Sequence, residues 1–286
     1  MSNSILRYKK IYCDTKFKTS DSRSTSDFSI ELPEAVSSDR NNCVFYLSDI
    51  GIPHSWYSIE ADINDKLYFH IAQSGFIQSY IITLTPGNYT SPDIKNEIQT
   101  KLKNATDRPG NTDLFICSYN SMKNTIEIKT NTPNLFYSIL TPDDLKTQFD
   151  GRFTLPYDIS NPHDCNEMLS NLEGSNIFYN ASNPFTSGYI NLQPFRNIYI
   201  HSSALGNMKN VGCRGENTVI KKVPVNADYG MMIIDEISVY NDYDSCSGQT
   251  LKKIDFQLRT SRGDIIPLHG CNWSFSIVFS RQNESS

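Results

Sequence analysis

The sequence predicts a mainly β protein, a β-sandwich that carries a small α+β insertion. Three observations lead there. The C-terminal stretch from Leu251 to Phe279 alternates: Ile254, Phe256 and Leu258 with Asp255, Gln257 and Arg259, then Trp273, Phe275, Ile277 and Phe279 with Ser274, Ser276 and Ser280. Period two is the mark of a strand with one buried and one wet face. Val278 interrupts the polar side, so that side is partly covered too. Aromatic residues make up 12% of 286 residues, with 16 Tyr and 15 Phe, which favours strands over helices. Finally, 92–104 alone joins a helix start signal to a regular helical repeat.

Taken in order, residues 1–26 read as a polar N-terminal arm, because TSDSRSTSD has no periodicity. Phe28, Ile30 and Leu32 alternate into a strand that Pro33 is expected to end, with a loop over 36–40. Cys43–Ile50 is apolar enough to be a strand buried on both faces. It runs into a loop over 51–65, and Lys66–Ala72 is the next strand. Tyr80–Leu84 is strand-like and ends in the turn Pro86-Gly87-Asn88-Tyr89. Ser91-Pro92-Asp93 then supplies an N-cap, a proline for the first turn and an acid for the helix dipole. Ile94, Ile98, Leu102 and Ala105 recur every three or four residues, giving a helix over 92–104 that Arg108-Pro109-Gly110 stops. Leu114–Tyr119 and Thr125–Thr130 form a hairpin. Short helices are expected at Pro142–Phe149 and Pro162–Leu172. Strands resume at Gly188–Leu192, Asn197–His201, Thr218–Val223 and Met231–Tyr240. The Gly- and Asn-rich link from Ala204 to Gly215 reads as a mobile loop.

The length suffices for one large all-β domain, or one with an insertion. The net charge is −5, and the lysine pairs Lys9-Lys10, Lys221-Lys222 and Lys252-Lys253 read as solvated strand edges, so direct nucleic-acid binding is not expected. The N-terminus has no apolar signal core, and no stretch approaches the roughly 18 apolar residues of a membrane span. Seven widely spaced Cys, at 13, 43, 117, 165, 213, 246 and 271, point to reduced thiols rather than a disulfide framework or a zinc site. Asn-x-Ser/Thr triplets at Asn88, Asn104, Asn180, Asn272 and Asn283 are chance occurrences in a chain rich in those residues.

Catalytic signals are weak. His54, His70, His163, His201 and His269 show no metal-ligand spacing, and no phosphate-cradling loop or nucleophile elbow is present. Cys165 beside His163 and Cys271 beside His269 are the conceivable thiol nucleophiles, and Cys165 has the better placement at a helix start. No catalytic, cofactor-binding or metal residue is assigned. Arg262-Gly263-Asp264 invites a cell-attachment reading, against the plainer one that a tight turn wants Gly beside polar residues.

The polar arm ending in SDSRSTSDFSIELP, the buried strand entering LSDIGIPHSWYSIEADIN, the LTPGNYT turn before a helix, and the C-terminal RGDIIPLHGCNWSFSIVF come in an order that resembles the penton (minor capsid) proteins of the Maverick/Polinton and virophage lineage. The resemblance covers about 20–130 and 250–280. It implies a single jelly roll, placed at 27–76 and 174–286, with 77–173 as the candidate insertion domain. It also implies homopentamers at the fivefold vertices of an icosahedral virion, surrounded by a major capsid protein of double jelly-roll type. Synthesis would be in the host cytoplasm or nucleus, without secretion. The arm and the loops at 51–65 and 204–217 suit contacts between copies. Trp56, Tyr57 and Phe185 are then candidate interface anchors, with capping of their own subunit's sandwich core as the alternative. Arg262, Gly263 and Asp264 are the candidate attachment residues. The competing functions are a β-sandwich module that binds a glycan or cell-surface receptor, and a thiol hydrolase.

Overall fold

The C-terminal alternation sorts side chains as expected: Ile254, Phe256 and Leu258 are buried, and so are Phe275, Ile277 and Phe279. The other face of the last strand is covered as well, since Ser276 and Val278 are buried. The computed structural model describes residues 8–37, 43–73, 76–107, 113–147, 163–171, 178–206, 210–236, 243–246, 248 and 250–281. In chain order it runs β1 (Tyr8–Asp14), β2 (Asp27–Ser37), β3 (Cys43–Pro53), β4 (Lys66–Gln73), β5 (Phe76–Thr83), α1 (Ser91–Thr106), β6 (Phe115–Asn120), β7 (Thr125–Thr130) and β8 (Phe136–Ile139). It continues through α2 (Pro142–Thr147), α3 (Asn166–Leu169), β9 (Phe185–Thr186), β10 (Asn197–His201), β11 (Val219–Pro224), β12 (Met232–Asp235), β13 (Asp244–Ser245), β14 (Thr250–Arg259) and β15 (Ser274–Arg281). No helix among the described residues is long and apolar enough to cross a membrane.

The chain divides into two compact units, 1–56 with 195–286 and 57–194. The first unit has two antiparallel sheets, ordered β1-β15-β3-β12 and β11-β10-β14-β2, with the short β13 also on β3. Ranked along the chain, the eight main strands pair first with last, second with seventh, third with sixth and fourth with fifth. That nesting is the two-Greek-key wrapping of a jelly roll. Its core draws Phe28, Leu32, Phe45, Leu47, Ile198, Ile254, Phe256, Trp273 and Phe275 from both sheets. Phe28 stacks on Phe256 and meets Trp273 edge-on.

The second unit has two three-stranded sheets, β5-β4-β8 and β6-β7-β9, with α1 beside β5 and β6. Ile94, Ile98 and Leu102, the apolar stripe of α1, are fully buried in its core. Gln99 stands on the same helix. Its side chain donates to the Phe115 carbonyl (2.7 Å) and accepts from the Cys117 N–H (2.5 Å), so it satisfies backbone groups on the edge strand β6. Tyr137 packs against Phe69, Phe115 and Tyr179, and its hydroxyl accepts from the Phe185 N–H at 2.9 Å.

Several elements differ from the sequence reading, each for a local reason. Part of the expected arm is strand: β1 pairs over its full length with β15, from Tyr8 opposite Ser280 to Asp14 opposite Ser274. The Ser-rich segment after it is tied to β2, with Thr19 N–H on the Ser29 carbonyl and Ser29 N–H on Ser22 Oγ. β2 continues past Pro33 to Ser37 because it is an edge strand and the register slips there between Leu251 and Lys253, where a proline costs no ladder bond. Thr90, not Ser91, caps α1, because Asp93 three residues on completes a capping box with it. Gly188–Leu192 forms no strand. Its backbone is parcelled out between Asn124 and Met168, and a Cβ on Gly188 would come within 2.6 Å of Ser170 Cβ. The strand there is β9, earlier by a few residues. α3 is shorter than expected, α2 is described only to Thr147 and β12 only to Asp235, and Arg108-Pro109-Gly110 lies outside the described residues. β4, placed with the jelly roll from its sequence, pairs with β5 and β8 of the second unit. The second unit therefore spans 57–194 and contains all of 77–173.

Candidate functional site

The three aromatic residues singled out for contacts between copies have different fates. Trp56 is 0% exposed. Its ring lies between His54, 4.2 Å away between centroids, and Phe195, 4.9 Å away, all three in the jelly-roll unit. Phe185 is 2% exposed and meets Tyr179 edge-on at 5.3 Å in the core of the second unit. In each case the ring lies in the core of its own unit, Trp56 in the jelly roll and Phe185 in the second unit. Tyr57 is half-buried, and its N–H donates to Glu60 Oε1 at 2.6 Å. Glu60 N–H donates in turn to Asn64 Oδ1, and Asn64 Nδ2 to the Ser58 carbonyl, so 57–65 is a self-bonded loop. Ser58 Oγ reaches the Gly87 carbonyl at 3.1 Å, joining that loop to the LTPGNYT turn.

Arg262, Gly263 and Asp264 form a tight turn closed by Thr260, whose N–H donates to the Asp264 carbonyl at 2.9 Å. Thr260 Oγ1 accepts from the N–H groups of Arg262 and Asp264, both at 3.2 Å. Gly263 sits at φ +94°, which only glycine adopts without strain. Arg259 donates to the Gly263 carbonyl, and Arg214 to that of Arg262. All three residues are half-buried, so their backbone is held in a turn rather than raised on a loop tip.

The catalytic alternatives have poor surroundings. Cys165 is fully buried, and desolvation pushes its thiol well above the ordinary range, with the neighbouring Asp164 charge adding to the rise. A thiolate nucleophile needs the opposite. Cys271 is exposed and follows the turn at His269-Gly270. Among the described residues no group of three or more His, Cys, Asp or Glu is placed to hold a metal ion. An open polar groove of about 530 Å³ lies on the second unit, lined by Ser118, Tyr119, Lys123, Thr125, Glu127 and Thr186.

Two of the lysine pairs stand on edge strands, Lys9-Lys10 on β1 and Lys221-Lys222 on β11, whereas Lys252-Lys253 stands on β14, inside its sheet. Lys9 lies 3.7 Å from Glu34, Lys221 3.3 Å from Asp235 and Lys253 2.5 Å from Asp21, while Lys10 pairs with Asp49. Lys252 donates to the Leu32 carbonyl at 2.7 Å.

Part of the exposed apolar surface, which the sequence reading passed over, lies at the two ends of the sheet β1-β15-β3-β12. Tyr12 on β1 is 79% exposed and Phe17, just after it, 81%. At the far end Met231, Met232 and Ile234 are 63%, 50% and 58% exposed, while Ile233 between them points inward and is buried. The alternation in Met232–Asp235 carried this signal, but a four-residue strand is too short to show which face is wet.

No protein-family model matches the sequence, and no functionally curated protein does. The fold has relatives among solved structures. The crystal structure of the mavirus penton protein aligns over 96% of this chain and 100% of that one, with a TM-score of 0.51 and 12% identity. The cryo-EM structure of the Sputnik virophage aligns over 98% of this chain and 99% of that one, with a TM-score of 0.44 and 12% identity. The first likeness spans both units and gives the chain the fold of the mavirus penton protein.

Proposed function

We propose that this chain is a structural minor capsid protein, a penton, that occupies the fivefold vertices of an icosahedral virion. The observation that carries the reading is the end-to-end likeness to the mavirus penton protein, whose fold this chain shares over 96% of its length. The nested jelly-roll pairing supports it, as does the position of the second unit, which interrupts the first between its third and fourth main strands. On this reading the second unit is an insertion domain, and the chain has no enzymatic role.

Five copies in a ring meet through heterologous contacts, in which two different surfaces of one copy touch. The exposed Tyr12 and Phe17 at one end of the β1-β15-β3-β12 sheet and Met232 and Ile234 at the other are the first residues to substitute in a search for those contacts. The outer partner is a major capsid protein of double jelly-roll type, and the protein's place is the virion, after synthesis inside the host cell.

The test is native mass across a concentration series, with negative-stain images of the same sample, followed by mixing with the major capsid protein. Fivefold rings, alone or on mixing, are the expected result. A chain that stays monomeric and fails to join the shell in the mixture would overturn the proposal.

A further inference from the structure

Cys43 opens β3, and Cys246 directly follows β13. Ser245 pairs with Val44 and Asp244 with Phe45, so the next step of the ladder sets Cys246 opposite Cys43. The Cys246 N–H donates to the Cys43 carbonyl at 3.0 Å. The side chains follow the backbone: the two sulfurs lie 3.1 Å apart, with the Cys246 thiol donating to Cys43 Sγ. An approach of about 1 Å would bring them to a disulfide bond of about 2.05 Å. The pair is 203 residues apart in sequence, a separation at which no spacing motif exists.

We propose that Cys43 and Cys246 are a covalent modification site, a cross-strand dithiol that a small-molecule disulfide such as oxidised glutathione converts to an internal disulfide. Cys43 is half-buried and Cys246 fully buried, so the oxidant meets Cys43 first. The Cys43 thiolate attacks one sulfur of the oxidant. A mixed disulfide forms, the oxidant's own S–S bond breaks, and one glutathione thiolate leaves and takes up the Cys43 proton. The Cys246 sulfur then attacks Cys43 Sγ. The internal bond forms as the second glutathione leaves with the Cys246 proton. Two protein thiols lose two electrons, and one small disulfide becomes two thiols. Burial, and then the hydrogen bond to Cys43, push the Cys246 thiol up, which makes it the resolving partner rather than the first to react.

The consequence is mechanical. The bond joins the start of β3, which pairs with β15, β12 and β13, to the segment that leads into β14. It closes a chain loop that contains the whole second unit, and closing a long loop restricts the unfolded chain most. The inference stands apart from the capsid reading.

The experiment equilibrates the reduced, folded chain with oxidised glutathione, denatures it, alkylates it, and reads intact mass and linked peptides. The expected chain has lost two of its seven thiols, with Cys43 and Cys246 in one linked peptide pair. Its melting midpoint rises by about 5 °C or more and returns on reduction. C246S should instead hold one glutathione on Cys43, and the C213S/C271S double variant should form the disulfide as the parent does. Seven thiols still open to alkylation, a link between other cysteines, or a stable Cys43 adduct in the parent chain would each overturn the proposal.

Discussion

Phe256 on β14 and Phe275 on β15 meet edge to face across the two sheets of the jelly roll, with ring centroids 4.8 Å apart and planes inclined by 69°. Phe275 also stacks on Trp273, and Phe256 on Phe28, so four rings bridge the sandwich. Truncating either ring leaves a cavity that the sheets on both sides prevent from closing. Phe256→Ala or Phe275→Ala should each cost about 3–5 kcal/mol in denaturant unfolding. The double variant should cost less than the sum by about 0.5–1.5 kcal/mol. Strict additivity would show that the two rings do not interact.

The capping box at the start of α1 is a smaller, local test. Thr90→Ala removes the acceptor for the Asp93 N–H and the partner of the Asp93 carboxylate. A loss of about 1 kcal/mol is expected, without change in native mass. Ser91→Ala should cost less, because Ser91 lies inside the helix.

Stability should fall on the acid side, and two of the contributing groups, His201 and Asp21, act in different pH windows. His201 is buried on β10 with Nδ1 2.9 Å from Thr218 Oγ1. Burial first, and then the Arg259 charge, hold its imidazole below the ordinary value of 6.5. The unfolded chain therefore binds the proton more readily. Stability from this site is complete above pH 6.5 and declines as pH falls through the folded value. His201→Gln should flatten that limb of the pH–stability curve.

Asp21 acts in the lower window. Its hydrogen bond from Lys253 lowers the carboxyl from 3.8 to about 2. Its contribution is present above pH 3.8 and lost as pH falls toward about 2. The pair is exposed, so added salt should shrink this contribution and leave that of His201 largely intact.

The Arg262-Gly263-Asp264 turn should behave as structure. Arg262→Ala should leave cell attachment unchanged, and a drop in attachment would revive the adhesion reading. Gly263→Ala places a Cβ at φ +94° and should cost about 1 kcal/mol or more in stability.

The sequence by itself determined the strands whose faces differ. Ile254, Phe256 and Leu258 against Asp255, Gln257 and Arg259 could be read one residue at a time, and so could the apolar stripe of α1, because both periods are local. It also carried the resemblance to penton proteins, through ordered stretches that keep their place along the chain. Tertiary structure decided what depends on partners far away in sequence. β1 falls in the stretch that reads as a polar arm because TSDSRSTSD has no periodicity, yet β15 supplies its whole ladder. The sequence left Trp56 and Phe185 open between interface anchor and core cap because they stand in loop-like sequence, and only the fold sets them against Phe195 and Tyr179 and buries them. The nested strand order and the meeting of Cys43 with Cys246 were equally hidden. Alternation records which face of a strand is dry, whereas pairing is settled by whichever distant strand fills the hydrogen bonds and buries that face.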